Sequence, residues 1–170
     1  MPVKQLLELG NKKFGLFLII MILCSFVKGD KMQELEKAGI HGSFKGDSKF
    51  FSKNVKVSMM FKSNEWRNFS GALVEFEASA RSAWHTHPQG QTLIVTEGEI
   101  ITKVPGQKAF IAKKGDVISC PIGVKHFHGA TNTSSGAHIA LTGEKEGKNV
   151  EWLELVSDEE YENALKEARE

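Results

Sequence analysis

From Val55 onward the chain alternates. VKVSMMF (55–61) and GALVEFEA (71–78) carry apolar residues at every second position, the period of a strand with one buried face. QTLIVTEGEIITKV (91–104) reads as two strands meeting at Glu97-Gly98. AFIA (109–112), VISCP (117–121), KHFHGAT (125–131), AHIALT (137–142) and VEWLELV (150–156) follow, separated by the Gly-centred turns PGQ (105–107) and KKGD (113–116). Many short strands with close turns and no interleaved helix predict an all-β sandwich or barrel. Before Val55 the pattern is polar and rich in Gly and Lys, with Phe44, Phe50 and Phe51 as isolated anchors. Residues 30–54 are therefore expected to form an extended arm, with a short helix over Lys31–Ala38. After Val156 the period changes again. Ser157 and Glu160 fit a capping box, and DEEYENALKEARE carries acids early and Lys166 and Arg169 late, which suits the helix dipole. A short C-terminal helix is expected over 157–170. Tyr161, Leu165 and Ala168 would form its apolar stripe, and its charged face would lie in solvent.

The N-terminus changes the bookkeeping. Lys12 and Lys13 precede FGLFLIIMILCSFV (14–27), a run with almost no polarity. That length suits the apolar region of a secretory signal and falls short of the about 20 residues of a membrane span. Residues 1–29 are thus read as a signal peptide, with a retained membrane anchor as the competing reading. The expected location is periplasmic or extracellular. Removing this segment takes away Lys4, Lys12, Lys13 and Lys28 against Glu8, so the formal charge moves from +1 to −2. Neither value leaves a basic footprint for nucleic acid. Cys24 would leave with the signal, and Cys120 would remain as a lone thiol, read as a small buried apolar residue.

The chemistry-bearing residues are imidazoles. In AWHTHPQGQTLIV (83–95), His85 and His87 share one face of a strand, Thr86 takes the other, and Pro88–Gly90 permit a turn that returns Gln91 to the histidine side. In KHFHG (125–129), His126 and His128 share a face, with Phe127 opposite. His138 lies in a further strand. Two His-x-His pairs on separate strands and a fifth histidine on another point to a metal site, because so many imidazoles facing one interior are costly to bury unpaired. His41, in a polar loop, is read as structural.

The stretch from Ser79 to Ala130 resembles the two cupin motifs. His85, His87, Gln91 and Gly98 stand at the spacing of the first; Ser79 replaces its leading Gly, and Gln91 replaces its Glu. Gly115, Pro121, Gly123 and His126 stand at the spacing of the second, with Ala130 in place of its final Asn. The resemblance implies a double-stranded β-helix (jelly-roll) barrel over 55–156, a homodimer or homotetramer, and one divalent metal held by His85, His87, Gln91 and His126. HTHPQGQTLIV, PIGVKHFHGA and AHIAL are moreover similar to the bacterial manganese-dependent cupin hydroxynitrile lyases. That subgroup implies manganese, although the donors also suit Fe, Ni, Zn or Cu. It further implies His138 as acid/base, with His128 sharing the proton or orienting a ligand.

Gln91 bears on the chemistry directly. An amide is neutral, so with three neutral imidazoles a divalent ion keeps its full charge. Such a centre favours Lewis acid chemistry over redox cycling. The reading is cleavage of a cyanohydrin such as mandelonitrile to an aldehyde and cyanide. A cupin dioxygenase acting on a small diol or diketone, and a non-catalytic cupin that binds metal or a small ligand, are the alternatives. Ala72, Val74, Leu93 and Phe110 are the expected pocket walls. Trp84 is expected to pack on the outer face, Trp66 and Trp152 in the core or a subunit contact, and Lys125 in solvent.

Overall fold

In a computed structural model that describes residues 32–170, the alternating segments become strands: β1 (Ser43–Lys45), β2 (Phe51–Ser52), β3 (Val55–Phe61), β4 (Phe69–Phe76), β5 (Arg81–Ser82), β6 (His85–Thr86), β7 (Gln91–Lys103), β8 (Phe110–Lys113), β9 (Val117–Cys120), β10 (Phe127–Ala130), β11 (Gly136–Gly143) and β12 (Glu151–Trp152). One helix follows, α1 (Asp158–Arg169). Leu35–Glu170 form one compact unit. Residues 1–31, which include the apolar run 14–27, lie outside the described residues. Every strand pairing is antiparallel, and the main sheet runs β1-β3-β4-β11-β7-β10-β5-β2, with β8 and β9 also paired to β7.

β7 is the corner of the barrel. Its first half pairs with β9 and β11, and its second half with β8 and β10. The two strands expected to meet at Glu97-Gly98 are instead one continuous strand with a bulge, where the register against β11 shifts between Ala137 and His138. Gly98 makes the bend at φ +61, and a Cβ there would stand 1.9 Å from the Ser135 carbonyl oxygen. One extra residue bends a strand without breaking its ladder, so the chain crosses from one sheet to the other on β7. The expected strand over 150–156 shrinks to β12, which pairs only with β6. The expected helix over Lys31–Ala38 is absent from its described part: residues 32–37 have no regular structure and a turn follows. So short a segment gains too few hydrogen bonds to hold a helix, and Gly39 and Gly42 at positive φ end it.

The period-two pattern sorts side chains into two cores. Val55, Val74, Leu93, Val95, Ile100 and Ile118 fill the barrel. Trp84, Ile101, Phe127, Tyr161, Ala164 and Leu165 form the second core, between the barrel's outer face and α1. Adjacent Ile100 and Ile101 thus serve different cores, as alternation requires. Trp84 packs on this outer face, its ring T-shaped against Phe127 at 5.0 Å. α1 begins at the Ser157–Glu160 capping box. Its buried face is Tyr161, Ala164 and Leu165, with Ala168 only partly covered. Tyr161 donates its hydroxyl to the Ala130 carbonyl at 2.7 Å, and buried Arg81 spans the Val156 carbonyl and Asp158. The helix is therefore pinned to the strand that carries His128. Trp66 lies in neither core: it is exposed on this chain, against Arg67. Lys125 pairs with Glu154 and covers Trp84.

Candidate metal centre

Alternation turns the histidines inward. His126 bridges His85 through mutual backbone hydrogen bonds of 2.9 and 3.0 Å, which lock the two motifs together. His87 follows β6, and the chain then turns at Gly90, φ +74, where a Cβ would lie 2.9 Å from the Cys120 carbonyl. That turn returns Gln91 to the same cavity. His85, His87, His126, His128 and His138 are each at most 5% exposed. The His85 ring lies 4.9 Å from His87, 4.3 Å from His126 and 5.1 Å from His128, centroid to centroid. The structure thus brings all six expected site residues into one place.

The hydrogen bonds decide which atoms are free. Nδ1 of His85 is bonded to the Ala83 carbonyl (2.9 Å), that of His87 to Asn149 (2.6 Å) and that of His126 to Val124 (2.9 Å). A carbonyl only accepts, so each Nδ1 carries the proton and each Nε2 presents a lone pair. His87 Nε2, His126 Nε2 and Gln91 Oε1 are buried without any protein partner. Gln91 donates its amide nitrogen to Thr142 Oγ1 at 3.0 Å, which aims the oxygen at the cluster. Orphaned lone pairs converging in a buried site are costly unless a cation takes them, so the residues fit a divalent metal. His85, His126 and His128 also form a group whose ring nitrogens lie within 4.8 Å of one another. His128 differs from the other two in its partner: its Nδ1 meets His138 Nε2 at 3.1 Å, a ring nitrogen that can donate or accept, and not a carbonyl that only accepts.

Burial lowers the pKa of every one of these rings, to about 4 for His126 and about 3 for His138. His85 is lowered first by burial and then by the His126 ring beside it; for His87 and His128 burial is again the leading cause. All are neutral at pH 7, as metal ligands and a general base require. A stability consequence follows for the metal-free protein. Below the ordinary histidine value of 6.5 the unfolded chain binds protons that the folded chain refuses. Stability is fully present above pH 6.5 and is lost as pH falls from there towards 4 and 3. Thermal melts of chelator-treated protein between pH 7.5 and 4.5 are expected to show a falling Tm; a flat profile would contradict the neutral burial of these rings.

The cluster opens on a cavity of about 400 Å³. Ala72 and Val74 line it as expected, whereas Leu93 is sealed in the barrel core and Phe110 lies half-exposed on β8. Walls that the strand pattern did not predict come from outside the cupin motifs. Phe50 stacks on Trp152 at 4.9 Å and 15°, Phe51 meets it edge-on at 5.4 Å, and Trp152 lies 5.0 Å from the His85 ring. The isolated Phe pair was a visible signal; its partner was not, since nothing local joins residue 50 to residue 152. A depression of about 500 Å³ beside β1 and β3 contains none of the histidines.

A cupin domain model matches residues 72–142, and over 128 residues the chain is 40% identical to an (R)-mandelonitrile lyase of Granulicella tundricola, spanning 75% of this chain and 98% of that one. The chain is a cupin. This cupin also matches the crystal structure of a cupin-like protein from Thermotoga maritima at 38% identity and a TM-score of 0.67, over 78% of this chain and 97% of the other. A cupin-2 domain from Rhodospirillum rubrum superposes with a TM-score of 0.57 at 12% identity, over 76% and 84% of the two chains, a likeness of fold alone. β7 and the segments that carry His85, His87 and His126 fall within the stretch that the cupin model matches, and the buried histidines could hold a metal ion there.

Proposed function

We propose that this cupin is a metal-dependent carbon–carbon lyase of the hydroxynitrile type, cleaving a cyanohydrin such as mandelonitrile to an aldehyde and cyanide. The observation that carries the reading is a neutral three-His, one-Gln donor set sharing its cavity with a second, hydrogen-bonded histidine pair. His85, His87, Gln91 and His126 would hold the ion, manganese by analogy with the similar lyases. Bound there, a divalent metal supplies Lewis acidity to the substrate hydroxyl, at full charge because no ligand is anionic.

The chain's own groups do the rest. His138 is wholly buried and neutral, with its Nε2 3.1 Å from His128 Nδ1, so this pair receives the hydroxyl proton and spreads the resulting charge over two rings. The C–C bonding electrons leave with cyanide, the hydroxyl oxygen becomes the aldehyde oxygen, and the pair returns its proton to cyanide as hydrogen cyanide. Phe50, Phe51 and Trp152 exclude water and offer apolar surface to an aryl or alkyl group. Manganese-loaded protein mixed with racemic mandelonitrile is expected to release benzaldehyde faster than buffer does, and chelation is expected to abolish the difference. Release at the buffer rate, or release indifferent to the chelator, would remove the lyase reading.

A further inference from the structure

Strand register divides the cavity floor into rungs. On β11, His138, Ala140 and Thr142 face inward, opposite Val74, Ala72 and Ser70 of β4 and Val95, Leu93 and Gln91 of β7. The middle rung holds two alanines, and these small side chains leave the hollow. One end rung is polar on all three strands: Ser70, Thr142 and Gln91.

Ser70 and Thr142 are each 8% exposed, and both line the cavity. Thr142 Oγ1 already accepts the Gln91 amide N–H at 3.0 Å, so its own proton is left to donate elsewhere. The metal fit requires this arrangement, since a flipped amide would aim its N–H groups at the cation. Among the described residues the Ser70 hydroxyl has no side-chain hydrogen bond, and no protein group accepts from Thr142. Two hydroxyls on one rung that line the cavity and donate to no protein group present their protons to whatever enters it, and a ligand atom that only accepts completes them.

We propose that Ser70 and Thr142 form the subsite for the nitrile end of the substrate, and for the cyanide formed from it. This rests on the lyase reading. A nitrile nitrogen carries a lone pair and no proton, so it complements two donors, and it gains negative charge as the C–C bond breaks. The hydroxyls therefore bind the departing group more strongly than they bind the intact nitrile, which is how a donor pair lowers a barrier. Gln91 joins the two halves of the site: its oxygen faces the metal position and its nitrogen fixes which way Thr142 donates.

The probe is phenylacetonitrile, which lacks the hydroxyl and cannot be cleaved by this route. Its C≡N stretch is read by infrared difference spectroscopy on the manganese-loaded protein, alongside calorimetric affinity, metal content and mandelonitrile kinetics. A nitrile that accepts a hydroxyl hydrogen bond absorbs at higher wavenumber than one in an apolar site. The band is expected to fall in Ser70→Ala and in Thr142→Val, with affinity weakened roughly 2–10-fold for each hydroxyl lost. Thr142→Ser, which keeps the hydroxyl, is expected to restore both. Ser70→Ala is the cleaner variant because it leaves the Gln91 contact intact. An unchanged band and affinity in both variants, or no binding of phenylacetonitrile to the wild-type protein, would overturn the subsite. Mandelonitrile cleavage with an unmoved band sinks the subsite and keeps the lyase; a shifted band without cleavage does the reverse.

Discussion

A His126→Ala chain is expected to purify without its metal and to have no metal-dependent lyase activity, while keeping the barrel. The His126 imidazole is oriented by one backbone bond at Nδ1 and has no protein partner at Nε2. Losing a group that merely orients a ligand costs about 10–100-fold in metal affinity or activity, and losing a ligand outright costs more. The backbone bridge to His85 uses main-chain atoms only, so the fold survives the substitution. Metal per chain by mass spectrometry, with circular dichroism as the fold control, makes the measurement. Parallel variants separate the two donor sets that the cluster offers. His87→Ala is expected to lose metal as His126→Ala does. His128→Ala is expected to retain it, because His128 Nδ1 meets the His138 ring nitrogen rather than a carbonyl, so no carbonyl holds its proton away from Nε2. One metal per chain in His126→Ala, or loss of metal in His128→Ala alone, would redraw the site.

Replacing His138 has a different signature. His138→Ala is expected to bind metal normally and to lose roughly 10²–10⁴-fold in kcat/KM, the range spanned by a positioned acid/base. His138 lies outside the proposed donor set: its Nε2 is bonded to His128, and its Nδ1 is buried without a protein partner. The variant therefore separates the proton-handling pair from the donor set that holds the ion. A His138→Ala protein with full metal and undiminished rate would leave the wholly buried ring without a catalytic role.

The strands and the histidine faces were legible in the sequence because both rest on a period of two, which needs no partner to be seen. His126, Phe127 and His128 sort themselves into inside, outside and inside on that rule alone. The capping box at Ser157 was readable for a similar reason, since it is closed within four residues. What was not legible depends on register and distance. The bend at Gly98 looks like a hairpin turn until β11 is seen pairing across it. Phe110 alternates like a wall residue, but it faces away from the cavity. Trp152, Asn149 and Ser70 reach the site only through pairings that span tens of residues. The polar rung is the clearest case: Ser70, Gln91 and Thr142 are unrelated in sequence and become one feature only when three strands align.

The central position of β11 also bears on the order in which this protein is made. β11, which ends at Gly143, stands between β4 and β7, so the β3–β4 pair and the pairings of β7 with β8, β9 and β10 join into one barrel only once most of the chain has been made. Non-local pairings of this kind form slowly and late. β11 also brings His138, the proposed proton acceptor, and Thr142, the partner that orients Gln91. Closing the barrel and completing the site are then one event. A chain that stops short of β11 has His85, His87, Gln91 and His126 but lacks the Thr142 hydroxyl that orients Gln91 and the strand that walls the cavity beside them.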